Sequence, residues 1–316
     1  MITFDQVEAA ARAISPYLLR TPTVPSPGLS DLIGVPTTIK LECLQRTGSF
    51  KARGSTAKLV GLSDTERAAG VVAVSGGNHG IAVATMAQLL GVAATVVMPK
   101  TAAEDSIARS RAAGADVRLT EDMPEAFALA DELTAAGSTL LHPFDDPVVI
   151  AGQGTVGLEL ATDADELTDV FVSVGGGGLI SGIAVALKTL RPHVRIWGVE
   201  PTGARAMTDA LATGEPVITE LDSVITTLSA PRVSELTYRH VYDLVEGVLL
   251  VPDRDAAAGS LAIAERAGVW AEPADGILLE AARAVAADAG PQARFGLVLA
   301  GSNASVEQVA AWARDR

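Results

Sequence analysis

Lys51 sits in the run Thr47-Gly48-Ser49-Phe50-Lys51-Ala52-Arg53-Gly54, a small glycine-flanked turn. The strand-like stretch Thr38-Ile39-Lys40-Leu41-Glu42 precedes it. Surface lysines usually stand among other charges on solvated helix faces, whereas this one follows Gly-Ser-Phe. Taken alone, the octapeptide suits an ordinary cation near a turn as well as it suits a reactive amine. Two further stretches bear on the choice. Gly175-Gly176-Gly177-Gly178 lies between an apolar strand and a helix pattern. Glycines there let backbone N–H groups converge, and the helix N-terminus adds positive potential, so the run reads as a phosphate cradle. A tight strand–helix turn without a ligand is the plainer alternative. No Gly-Lys-Ser/Thr follows, and the spacing is not a clean dinucleotide fingerprint. Ser75-Gly76-Gly77-Asn78-His79-Gly80 also ends a strand, where ligands gather in open α/β sheets. Ser75 and Asn78 can hydrogen-bond a ligand there, and the local amides can hold a carboxylate. A buried, purely structural Asn78 stays open. A phosphate anchor, a polar loop and a lysine that meet would suit an aldehyde carrying a phosphate, captured by the lysine amine as a Schiff base.

Positioning three such stretches requires strands that end side by side. Val71–Val74, Ala94–Met98, Val170–Val174, Arg195–Val199, Gly247–Val251 and Phe295–Ala300 read as short apolar strands. Asp116–Leu119 and Thr37–Glu42 complete the set. Helix patterns alternate with them, from residues 4–16 at the start through 81–90, 107–113, 124–135, 148–160, 179–190, 204–212, 256–267 and 276–287. Strands apolar on both faces, alternating with helices, predict an α/β fold with parallel sheets. The proline-rich break Leu140-Leu141-His142-Pro143-Phe144-Asp145-Asp146-Pro147 is the best domain crossing. The expected organisation is two domains, each an open, mostly parallel twisted sheet flanked by helices, with the ligand in the cleft between them. Residues 1–68 and 146–316 form the large domain and 69–145 the small one.

Composition removes several function classes. The formal charge of −14 argues against a nucleic-acid partner and against attraction to anionic lipid. The single cysteine, Cys43, excludes an intrachain disulfide framework and a multi-cysteine metal site. The four histidines form neither HExxH nor His-x-His, so a histidine-based zinc site is not expected. The apolar run Val170–Leu187 is long enough to imitate a membrane span, but its four glycines make a buried strand–helix unit. The N-terminus lacks a basic region with an apolar core, so a cytoplasmic protein without a signal peptide is expected.

The chain resembles the pyridoxal-phosphate enzymes of fold type II, the tryptophan-synthase-β-like family, and within them the serine/threonine dehydratase and serine racemase branch. The residues that carry the resemblance are the Lys51 octapeptide, Ser75–Gly80, Ile150-Ala151-Gly152-Gln153-Gly154-Thr155 and Val174–Leu179. They fall in the family's order over nearly the whole chain. The resemblance implies that Lys51 holds pyridoxal 5'-phosphate and moves the α-proton, with Phe50 near the ring. It gives Asn78 the ring's phenolic oxygen and Gly175, Gly176, Gly177 and Gly178 the phosphate. Ser75, Gly76, Gly77, Asn78 and His79 would take the carboxylate of an amino-acid substrate. The implied reaction eliminates water from L-threonine or L-serine and takes it back as the enamine hydrolyses, leaving 2-oxobutanoate or pyruvate and ammonia. A homodimer is implied as well. Racemisation, β-replacement and non-catalytic binding of the cofactor are the alternatives.

Four departures from the family pattern stand out. Ala300 occupies the place of the Ser or Thr that faces the ring nitrogen, which leaves Ser302 as the nearest candidate. Gly76 stands where racemases carry a second serine. Ala206 replaces the acidic residue six places after Glu200, with Arg205 beside it, so a divalent metal is not expected. Thr226-Thr227 stands where many relatives have Asp-Gly over the ring. The chain also stops soon after these motifs, so feedback through a C-terminal regulatory domain is not expected.

Overall fold

The computed structural model describes residues 1–314. The chain opens with α1 (Phe4–Ile14), β1 (Thr23–Pro25), α2 (Pro27–Ile33), β2 (Thr37–Leu41), α3 (Lys51–Val60) and α4 (Asp64–Ala69). It continues through β3 (Val71–Val74), α5 (Asn78–Leu89), β4 (Ala94–Pro99), α6 (Glu104–Ala112), β5 (Asp116–Thr120), α7 (Met123–Ala135) and β6 (Thr139–Leu140). Next come α8 (Pro147–Asp163), β7 (Asp169–Ser173), α9 (Gly178–Leu190), β8 (Arg195–Pro201), α10 (Ala206–Thr213) and α11 (Glu235–Leu244). The described chain ends with β9 (Gly247–Val251), α12 (Asp253–Ala267), α13 (Pro273–Ala286), β10 (Phe295–Leu299) and α14 (Val306–Arg314).

Two sheets result. A six-stranded sheet runs β1-β2-β10-β7-β8-β9, and a four-stranded sheet runs β5-β4-β3-β6. All pairings are parallel except β1 with β2. Both faces of the large sheet are covered, which is why its strands read as unbroken apolar runs. Phe171, Leu297 and Val199 face α12 and α13, packing on Ile277 and Leu278. Val170, Val172 and Val298 face the other way, onto Ile180 and Ile183 of α9. The α/β architecture with two helix-flanked parallel sheets agrees with the sequence expectation.

Local boundaries differ in informative ways. Lys51 is the first residue of α3 rather than part of a turn. Helix α5 begins at Asn78, three residues earlier than the apolar pattern suggests, because glycines and Asn78 carry no periodic signal. Helix α1 stops at Ile14, ahead of the helix-breaking Pro16. The antiparallel edge strand β1 and helices α2, α4 and α11 lack the long apolar periodicity that reveals the others.

Candidate active site

The order of the large sheet sets the site. β10 lies between β2, which leads to Lys51, and β7, which leads to the glycine run. The carboxyl end of β10 is stitched to the Lys51 segment. Phe50 N donates to Ala300 O at 2.9 Å, Ser302 N donates to Gly48 O at 2.8 Å, and Ser49 bridges to Gly301. The small sheet contributes the Ser75–Gly80 loop and α5 from the opposite wall.

Lys51 is half-buried, and its Nζ donates to the carbonyl of Pro143 at 3.0 Å. The same nitrogen stands 5.0 Å from the centroid of the Phe50 ring. Loss of water around it lowers its pKa to about 8, with the carboxyl of Glu272 pulling the other way. A larger share of its amine is therefore neutral near physiological pH than for a surface lysine.

The glycine run ends at the N-terminus of α9, where no side chain caps the first amides. Those N–H groups are available to an anion. A methyl group on Gly176 would lie 2.1 Å from the Phe144 ring, so only glycine fits beneath that aromatic side chain. This open set of amides beside a half-buried amine fits a phosphate-bearing aldehyde. Gly176→Ala should therefore displace Phe144 or the loop. Overpacking of that kind costs about 1–3 kcal/mol, and cofactor affinity is expected to fall about tenfold or more. A fluorescence titration of the variant checks this; unchanged affinity refutes the cradle.

Asn78, the first residue of α5, is buried. Its Nδ2 donates to Glu272 Oε1 at 2.8 Å, and its Oδ1 accepts from Asn303 Nδ2 at 2.7 Å. The second Nδ2 proton remains for a ligand. Ser75 Oγ accepts from Gly77 N at 3.2 Å, and α5 has no side-chain cap, so the loop offers free amides at Gly76 and in the first turn of α5. His79 is buried with Nε2 donating to Leu141 O at 2.8 Å. Burial, with Lys51 nearby, holds its pKa down at about 3, so the ring is neutral and its role is to anchor the loop.

Ser302 lies beside this group, but its hydroxyl donates to Cys43 O at 2.9 Å, with Gly48 O at 3.3 Å. It has no second proton to give a ring nitrogen. Ala300 points toward the α9 layer and is buried. Thr227 faces Gly77 across the cleft, its Cγ2 3.9 Å from where a Gly77 Cβ would stand. Glu200 is engaged by α10, accepting from Met207 N, Thr208 N and Thr208 Oγ1 at 2.7–2.9 Å. Burial raises its pKa to about 7 in spite of these bonds. Among the described residues no cluster of three or more His, Cys, Asp or Glu side chains could hold a metal.

Sequence reasoning missed Glu272, Asn303, Arg109 and Phe144 as parts of this site. Phe144 lies in the proline-rich break, which marked the place without naming the residue. The others lie on three separate elements, and no spacing in the chain links them.

A parallel-sheet fold with a lysine amine, a glycine cradle and an asparagine on one cleft defines a cofactor enzyme of the Schiff-base type. The model of the pyridoxal-phosphate dependent enzyme family matches residues 14–301, and the chain belongs to that family. An L-threonine ammonia-lyase of Thermotoga maritima is 38% identical over 280 residues, 88% of this chain and 70% of that protein. A catabolic L-threonine dehydratase of Staphylococcus aureus is 37% identical over 278 residues, covering 87% and 80%. Among solved structures, maize serine racemase superposes with a TM-score of 0.92 at 30% identity, covering 99% of this chain and 97% of that one. The threonine deaminase of Solanum lycopersicum, isoform 2 in its processed form, gives 0.90 at 31% identity, covering 98% and 93%. No helix among the described residues is long and apolar enough to cross a membrane.

Proposed function

We propose that this enzyme deaminates a β-hydroxy amino acid, converting L-threonine to 2-oxobutanoate and ammonia or L-serine to pyruvate and ammonia. The observation that carries this reading is the Lys51 amine, held on the Pro143 carbonyl next to the Phe144 that packs on Gly176, with its basicity lowered by burial. The named relatives, ammonia-lyases and dehydratases among them, support the choice of reaction. Bound pyridoxal phosphate withdraws electrons from the substrate's Cα and so acidifies its hydrogen. In this reading Lys51 Nζ takes that proton, the free amides of Gly76, Asn78 and His79 within the Ser75–His79 loop fix the substrate carboxylate, and Asn78 holds the phenolic oxygen. The β-hydroxyl departs as water, and hydrolysis of the released enamine gives the 2-oxo acid and ammonia.

Serine racemases are also structural neighbours, so the second reading has an observation behind it. Gly76 opposes it. A Cβ at this position would lie 2.8 Å from the Ala102 Cβ, so a side chain able to protonate the opposite face has no room. Purified enzyme is expected to form 2-oxobutanoate from L-threonine, followed by a coupled reduction, while serine recovered at partial conversion stays L by chiral chromatography. Absence of any 2-oxo acid refutes the dehydratase reading, and D-serine in the recovered pool favours the racemase.

We further infer a cytoplasmic homodimer, with residues 69–145 as the smaller domain opposite 1–68 and 146–316. The family resemblance supports the first, and the assignment of β3–β6 to their own sheet supports the second. Light scattering of the purified protein tests the dimer.

A further inference from the structure

Asn303 is the hub of a directed hydrogen-bond chain that crosses the cleft. Arg109, on α6 of the small sheet, donates from Nη1 to Asn303 Oδ1 at 2.6 Å and from Nη2 to Thr47 O at 3.3 Å. Asn303 Nδ2 donates to Thr47 O at 2.9 Å and to Asn78 Oδ1 at 2.7 Å. Asn78 Nδ2 donates to Glu272 Oε1 at 2.8 Å. Every bond in this chain points the same way.

An amide side chain is nearly symmetric in shape, so its neighbours decide which end is oxygen. Arginine carries donors only and does not lose its proton in a protein. Arg109 therefore obliges Asn303 to turn Oδ1 toward it. Both Asn303 Nδ2 protons then go to Thr47 O and Asn78. Asn78 must answer with Oδ1, which turns its own Nδ2 toward Glu272 and the cleft. Glu272 is a weaker guarantor of that direction. Burial raises the pKa of its carboxyl, and a protonated carboxyl can donate as well as accept.

We propose that Arg109, acting through Asn303, is a positioning residue that makes Asn78 present an N–H rather than an oxygen to the phenolic oxygen of the bound cofactor. The proposal rests on the cofactor role given to Asn78 above. Its consequence is electronic: an N–H donor stabilises the ionised phenolic oxygen, and an amide oxygen would disfavour it. The ionised form of the cofactor absorbs in the visible and the neutral form in the near ultraviolet, so the direction of one side-chain amide can be read from a spectrum of the resting enzyme.

The discriminating variant is Asn303→Asp. The introduced carboxylate pairs with Arg109 at least as firmly, so a merely structural latch would be kept. It has no proton for Asn78, which must then turn its N–H group toward that carboxylate and its oxygen toward the cleft. The visible-to-ultraviolet absorbance ratio of the holoenzyme is expected to fall about fivefold, the shift one hydrogen bond produces. Arg109→Met should lower the ratio in the same direction, and Arg109→Lys, still a donor only, should restore most of it. Thermal melts show whether each variant is folded. A wild-type ratio in folded Asn303→Asp and Arg109→Met overturns the proposal. A wild-type enzyme that takes up no pyridoxal phosphate overturns the cofactor reading itself, and the proposal with it.

Discussion

Lys51→Ala is expected to abolish the visible absorbance of bound cofactor and to lower turnover of L-threonine by about 10²–10⁴-fold or more, the range for losing a positioned proton-transfer group. In the proposed reaction the amine has two duties, capture of the cofactor and removal of the α-proton, and alanine can do neither. An added primary amine should recover a small part of the activity. The wild-type amine also makes a pH prediction. Only neutral Nζ attacks an aldehyde, and burial holds its pKa at about 8. Capture of pyridoxal phosphate by the cofactor-free protein should therefore accelerate as pH rises, with a midpoint near that value. Ordinary lysines, at about 10.4, would place it roughly two pH units higher. Stopped-flow absorbance across the alkaline range reads the midpoint, and a value near that of an ordinary lysine would mean that Lys51 is not desolvated. Turnover that survives Lys51→Ala at wild-type level removes the residue from the chemistry.

The second large effect lies two residues away. Arg53 is 1% exposed and sits in a closed ionic cluster. Its Nε and Nη2 grip both oxygens of Glu42 at 2.7 and 2.8 Å. Its Nη1 and Nη2 reach Glu159 at 2.7 and 2.8 Å, and Thr155 Oγ1 lies 3.0 Å from Nη1. Lys40 Nζ adds a 2.6 Å contact to Glu159. Two cations thus meet two carboxylates. Burial alone would raise the pKa of Glu42, but Arg53 overcomes it and holds the carboxyl below its usual range. Arg53→Ala leaves two carboxylates with one cation in the interior, and breaking a buried pair in this way costs about 3–5 kcal/mol. Urea unfolding at neutral pH measures the loss. In the wild type Glu42 contributes stability above its unfolded pKa, and that contribution fades as pH falls through its lower folded value. In the variant the buried Glu42 carboxylate, without Arg53, binds a proton more readily folded than unfolded, so the deficit against wild type should shrink as pH falls. A variant within about 0.5 kcal/mol of wild type, the range of ordinary surface changes, would contradict the cluster. Arg53 also ties α3 to the turn that follows β2 and to α8, so losing it should loosen the helix that begins at Lys51.

Much of the active site is written locally in the chain. Lys51, Ser75–Gly80 and Gly175–Gly178 were legible because each combines an apolar strand, glycines and a helix start within a short stretch. The two-sheet architecture was legible for the same reason: strands buried on both faces leave unbroken apolar runs, as in Val170–Val174. Elements with one exposed face or little length, such as β1 and α4, left no such trace.

What decides the working state of those motifs is not local. Ser302 stood in sequence as the nearest hydroxyl to the missing one at Ala300, but its proton is already donated to the Cys43 carbonyl. Gly76 announced the absence of a serine, while only the packing of Ala102 shows that there is no room for one. Glu272, Asn303 and Arg109 come from three distant elements and converge because β10 ends between the Lys51 segment and the glycine run. By itself the sequence determined the fold class and the cofactor and singled out Lys51 as the lysine proposed to hold it, since these depend on residues close together in the chain. Only the tertiary structure decided how basic that lysine is and which way the Asn78 amide is turned. Burial and hydrogen-bond direction belong to neighbours in space, and chain spacing does not encode them.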